Sequence, residues 1–149
     1  MAILESKAET FMDASAEVMP EELDLGAEIE QILMWPVEAF WDDREFMRVC
    51  VARSVVDPAV GRLVGERLNG ARVTFAAHRL RWHQRQRRIR ADVDVDSVAL
   101  SLSGLSFSAG FFVRVIFEKE RDDVRRVVHE IAKVITRGIE SERTPVTEP

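Results

Sequence analysis

Apolar residues recur along this chain at intervals of three and four, the spacing that lines one face of an α-helix. Ile3, Leu4, Ala8, Phe11 and Met12 predict a first helix ending before Met19-Pro20. "PEELDLG" reads as a loop closing at Gly26, after which Ile29, Ile32, Leu33, Val37 and Phe40 form a second stripe. Pro36 falls inside that stripe, where its missing N–H leaves the carbonyl of Ile32 without a donor. A third helix follows in "WDDREFMRVCVARSVV", capped by Asp42 or Asp43, with Phe46, Met47, Cys50 and Val51 facing inward. Asp57-Pro58 is a strong helix start, an N-cap acceptor followed by a residue that needs no donor at the first helical position. From there Val60, Val64, Leu68, Ala71, Phe75, His78 and Trp82 give one continuous face of a long helix. Gly61, Gly65 and Gly70 weaken that helix and permit close approach of a neighbour.

Residues 96–117 predict a helix apolar almost all round and unusually small-sided, through Ser101, Ser103, Gly104, Ser106, Ser108, Ala109 and Gly110. "EKERDD" turns the chain, and Val124, Val127, Val128, Ile131, Val134, Ile135 and Ile139 mark a final amphipathic helix. With no strand pattern or repeat, the expected fold is all-α, a bundle of six or seven helices. Residues 1–18 are expected to form a leading helix, 19–142 the body of the domain and 143–149 a frayed tail.

Charge bears on one stretch above all. "RLRWHQRQRRIRADVDVD" packs six arginines between Arg79 and Arg90 and then sets three aspartates among apolar residues. It reads either as a nucleic-acid patch or as a helix end, a loop and a helix start. The whole chain carries a net charge of −5, against a generic nucleic-acid binder. Cations suit the negative end of a helix dipole and anions the positive end, so the second reading accounts for both signs, with Asp94 or Asp96 as the cap. Residues 1–30 hold nine acids and one lysine, while 44–90 hold twelve arginines and three acids. Such faces attract one another across a fold.

Cys50 is the only cysteine, which excludes an internal disulfide and fits a buried small hydrophobe in a reducing compartment. No signal-peptide pattern or uninterrupted apolar run of membrane-spanning length is evident, so the expectation is a cytoplasmic protein without a membrane partner.

The last two helices present more apolar surface than a simple antiparallel pairing covers. Either the earlier helices cover the remainder, or a second copy of the hairpin does, giving a two-fold four-helix interface. Phe112, Val113, Ile116, Val124, Val128, Ile131 and Ile135 are the candidates for that interface.

The run "DPAVGRLVGERLNGARVTFAAHRLRWHQRQRRIRADVDVDSVALSLSGLSF" resembles the ligand-binding and dimerisation domain of TetR-family transcriptional regulators. It has the Asp-Pro helix start at Asp57-Pro58, regularly spaced arginines, the Arg-x-Asp-x-Asp turn at Arg90, Asp92 and Asp94, and then a small-residue-rich helix and an amphipathic one. "EFMRVCVARSVVDP" looks like the preceding helix, and the resemblance spans roughly residues 28–140. The family's helix-turn-helix DNA reader has no counterpart in the acidic first thirty residues, and residues 1–18 look like the helix that links reader to sensor. The resemblance therefore implies a small-molecule sensor that homodimerises and binds no DNA by itself.

Ligand sites in helical bundles are built from inward side chains of several helices. The candidates are Trp35, Phe40, Trp41, Met47, Phe75, Trp82, Phe107 and Phe111, with His78 as the titratable group on the central stripe. Each has an alternative role in plain core packing. No metal site or cofactor motif is present: His78 and His83 diverge at a spacing of five, and His129 and Glu130 point apart. No acid–base pair can be assembled, so the expectation is a non-enzyme. Two readings stand: a sensor of a small apolar molecule without a cofactor, or a helical interaction module that pairs with itself or a full-length regulator and binds no ligand.

Overall fold

The computed structural model describes residues 23–141. These form an all-α bundle, and the leading helix and tail expected at 1–18 and 143–149 lie outside the described residues.

Helix α1, Leu25–Asp42, begins a turn earlier than its apolar stripe, because Asp24 caps it by accepting from the Ala27 N–H at 2.9 Å. Gly26 thus lies in the first turn and does not close a loop. The inner face of α1 carries Ile29, Leu33, Val37 and Phe40 as the stripe requires, with Pro36 buried inside the helix. Helix α2 spans Arg44–Val56; Asp43 occupies its N-cap but its side chain makes no cap hydrogen bond there. Helix α3 spans Pro58–Val64, and Asp57 caps it through the Ala59 N–H at 3.0 Å.

The chain does not leave helical geometry after Val64. Gly65–Asn69 forms a π-helical turn, and α4, Gly70–Arg85, continues from it. A π turn holds one residue more than an α turn, so it moves the inward face one position along the sequence. The extrapolated face at Ala71, Phe75, His78 and Trp82 is accordingly replaced by Arg72, Ala76, Leu80 and His83, all buried. His78 is exposed and Phe75 and Trp82 are half-buried, which corrects the expectation that His78 faces inward.

The arginine-rich stretch ends α4 and turns the chain, with Arg87 in the left-handed region at φ 59°. Arg90 then anchors the turn to the end of the last helix. Its guanidinium donates to the Gly138 carbonyl at 2.8 Å and its backbone N–H to Ile139 at 3.0 Å. Ile89 and Glu140 form an isolated antiparallel bridge. Helix α5, Val95–Phe107, is capped by Asp94, which accepts from the N–H groups of Asp96 and Ser97. It runs on through a second π segment, Ser108–Ile116. Helix α6, Arg121–Ile139, closes the fold.

Helix α1 is the centre of the bundle: it packs along α6, along α5 and along the π segment that follows α5. Helices α5 and α6 meet chiefly through that segment; α5 is covered by α4 and α1, and α6 by α1, more than by each other. The closest approach is at Gly110, where a Cβ would lie 2.7 Å from the Phe40 ring and 3.2 Å from the Val37 Cα. The small residues of this helix therefore let α1 come near. Val95–Ile116 is also long and apolar enough to cross a membrane, although Arg114 interrupts its uncharged run; 44% of its most apolar eighteen residues is buried within the bundle.

Candidate functional site

Two constellations stand out, one at each end of α1. At the carboxy-terminal end is a half-open cavity of about 360 Å³. Phe40 of α1 and Met47 of α2 form one wall, Gly61, Val64, Gly65, Asn69 and Arg72 a second, and Leu100, Ser103, Gly104 and Phe107 the third. The third wall is one face of α5, with residues at steps of three, one and three. The π turn supplies Gly65 and Asn69 directly and, by shifting the helical phase, brings Arg72 round to the cavity.

The lining is mostly apolar with one polar corner. Arg72 donates to Ser106 Oγ, Ser103 Oγ donates to Asn69 Oδ1, and Ser106 Oγ donates to the Ser103 carbonyl at 3.0 Å. Arg72 is 9% exposed, and its guanidinium carbon lies 5.4 Å from the Phe40 ring centroid. Burial pushes its pKa down to about 10, so it is cationic at neutral pH. Behind the wall, Phe107 stacks on Phe111 with centroids 5.4 Å apart and meets Phe40 edge-on at 5.7 Å.

At the amino-terminal end of α1, Glu28 is buried to 1% exposure beneath α4. Arg79 Nε donates to its Oε1, Arg79 also donates to Oε2 at 3.1 Å, and His83 Nε2 donates to Oε2 at 2.6 Å. Burial acts to raise the Glu28 pKa, but the hydrogen bonds from His83 and Arg79 and the Arg79 charge outweigh it and hold the carboxyl below its ordinary range. His83 is fully buried, its ring 4.9 Å from Trp82, and its Nδ1 has no hydrogen-bond partner among the described residues. Arg79 and Arg88 lie over the Trp82 ring at 5.4 and 5.2 Å, so Trp82 is sheathed by cations at the surface.

Of the ligand candidates, Phe40, Met47 and Phe107 line the cavity and Phe111 supports it. Trp35, Trp41, Phe75, His78 and Trp82 do not line it. Trp41 lies instead against Arg114, 3.6 Å from the ring centroid, with Arg44 at 5.0 Å. Arg72, Asn69 and Ser103 were missed because they are polar and a pattern search assigns polar residues to the surface. One signal was present in Gly65, where a Cβ would meet nothing within 4 Å at the cavity wall, whereas a Cβ on Gly61 would lie 3.1 Å from the Ser54 carbonyl oxygen.

The interface candidates divide. Phe112 and Ile116 are each 44% exposed. Val124 and Val128 are fully enclosed in the protomer core, and Val113, Ile131 and Ile135 pack against that core. These five face inward because α1 occupies the groove beside α6. The outward apolar residues of α6 are Val127 and Val134, at 46% and 69% exposure. Among the described residues, no group of three metal-ligating side chains converges. Comparison of the chain with protein-family models, with curated proteins and with solved structures found no match.

Proposed function

We propose that this chain is the effector-binding and dimerisation domain of a TetR-like transcriptional regulator, sensing a small apolar or aromatic molecule. The observation that carries the reading is the cavity between α1, α2, the α3–α4 helix and α5. Its volume is within the ordinary range of small-molecule sites, and its lining joins apolar walls to a few convergent polar groups. The resemblance in "DPAVGRLVGERLNG" falls on the helix that supplies one wall of it.

The mechanism follows from α1. Phe40 is at the cavity and Glu28 is twelve positions earlier, ~18 Å along a helix. Glu28 ties that far end to α4 through Arg79 and His83. A ligand that prefers one packing of Phe40 against α5 biases the position of α1, and with it whatever the chain before residue 23 connects to. The bias is bounded by the difference in the ligand's affinity for the two arrangements. This domain reads no DNA sequence and does no catalysis.

The exposed apolar residues of the last two helices favour self-association as the second half of the function. Native mass spectrometry of the purified chain tests both halves. The expected species is a dimer, at twice 17.0 kDa, carrying additional small-molecule mass. A bare dimer that no apolar compound stabilises against heat leaves an interaction module, and a bare monomer overturns the reading. A sequence-specific gel shift by the chain alone would refute the absence of DNA binding.

A further inference from the structure

Glycine is the poorest helix former after proline, because it gives up the most backbone freedom on ordering. One placed inside a helix therefore calls for something that comes close to the backbone. For Gly110 that neighbour is the Phe40 ring, 2.7 Å from where a Cβ would stand. Gly104, six residues earlier and inside α5, has no such neighbour: a Cβ there would meet nothing within 4 Å among the described residues. The same is true of Gly65 in the π turn. Both glycines line the cavity, from two different walls, and both are exposed. Each leaves bare helix backbone at its wall. Leu100 and Phe107 share a wall with Gly104 and are seven positions apart, ~10 Å along a helix. Phe107 closes one end, edge-on to Phe40 with centroids 5.7 Å apart.

We propose that the cavity takes a planar, fused-ring aromatic molecule that lies against the bare backbone at Gly65 and Gly104 with one edge toward Phe40 and Phe107, and that Gly104 sets how thick a molecule can enter. The proposal rests on the cavity being a ligand site and adds the shape of its occupant and a residue that selects it. A flat ring can approach a helix backbone where no Cβ stands, whereas a puckered saturated ring of the same carbon count needs more depth. Phe40 and Phe107 add ring–ring contact that a saturated body cannot return. At the polar corner Ser103 bonds Asn69 and Ser106 bonds the Ser103 carbonyl, so the selection is by shape.

The test uses 2-naphthol and decahydro-2-naphthol, which share a carbon skeleton and a hydroxyl and differ in flatness, titrated into the full chain at pH 7.5 by calorimetry. A slot indifferent to flatness favours the saturated compound, the more hydrophobic of the two. The flat compound is expected instead to bind roughly five- to tenfold more tightly, the worth of an aromatic contact beyond area burial. Gly104→Ala is expected to raise the melting temperature by a few degrees, since alanine favours a helix and meets no neighbour there. It is expected at the same time to weaken 2-naphthol binding by about tenfold, the effect of a methyl group in a filled space. Gly104→Leu, which fills more of the gap, is expected to abolish that binding. A glycine with a merely structural role would not move stability and binding in opposite directions. The wild-type comparison decides the shape even where a variant fails to fold. Equal binding of the two compounds, or a preference for the saturated one, overturns the planar assignment and leaves the cavity a ligand site of another shape. Undiminished 2-naphthol binding by both Gly104 variants overturns the role of Gly104. Failure of both compounds to bind overturns the assignment as well, and if native mass spectrometry also finds no carried small molecule, the reading of the cavity as a ligand site falls with it.

Discussion

Glu28 is a carboxylate on an otherwise apolar helix face, between Leu25 and Ile29, both buried. It is tolerated because three N–H groups from two α4 side chains meet its two oxygens. Removing the charge while keeping the shape leaves the Arg79 guanidinium facing a weaker acceptor. Glu28→Gln is therefore expected to destabilise the fold by about 3–5 kcal/mol, as for a broken buried pair, read from urea unfolding at pH 7. The pH dependence follows from the lowered carboxyl pKa. The unfolded chain takes up this proton near the ordinary value of 4.5 and the folded chain only at lower pH. The contribution of Glu28 is thus complete above pH 4.5 and is lost as the pH falls below it through the folded value. Wild-type stability should drop more steeply in that acid window than that of Glu28→Gln; parallel curves would show that the carboxylate is not held this way.

The π turn at Gly65–Asn69 is the element on which the cavity depends, and it yields a prediction particular to its geometry. It contains one residue in excess of an α-helix, so deleting Gly65 can restore a regular helix without changing which faces α3 and α4 present. Gly65 is exposed and a Cβ placed on it meets nothing within 4 Å, so no packing is lost. The deletion is expected to preserve helical circular dichroism, with a modest drop in melting temperature as the Ser103 hydroxyl loses Asn69, while weakening ligand binding, because Asn69 and Gly65 leave their places in the wall. Deleting the exposed Thr74 instead rotates Ala76, Leu80 and His83 off the core face and should unfold the protein. Equal tolerance of both deletions would exclude this account of the register. The same turn explains what was legible in the sequence and what was not. The stripe of α1, the Asp57-Pro58 start and the Asp94 cap depend on neighbours within one or two turns, and all are as expected. Phe40, Met47 and Phe107 were readable as wall residues for the same reason. The phase of α4 depends on an accumulated rotation, and one extra residue in the turn displaced His78 outward and brought Arg72 and His83 in. Glu28 was invisible because its two partners are more than fifty positions away.

At the scale of the molecule, the proposed self-association is tested through the apolar residues that the last two helices leave exposed. The segment after α5 exposes Phe112, Ile116 and Phe117, at 44%, 44% and 61%, and α6 exposes Val127 and Val134. Residues spaced by seven, like the two valines, share one face of a helix, and an isologous contact needs only one such patch repeated about a two-fold axis. We expect the wild-type chain to sediment as a dimer at micromolar concentration. Phe112→Glu combined with Val127→Glu should return it to a monomer, since charges placed in an apolar contact lose their hydration without gaining a partner. Both side chains are partly exposed in the protomer, Phe112 with one edge against the Phe107 and Phe111 rings, so the variant should keep its helical content with some loss of stability, and loss of the dimer is separable from loss of the fold. Val124→Ala and Val128→Ala make the contrasting pair. They open space inside the protomer core and are expected to lower stability by about 1–3 kcal/mol each without shifting the monomer–dimer balance of the folded protein. A wild-type monomer, or dissociation caused by the core substitutions and not by the surface ones, would place the outward face of these helices outside any self-association.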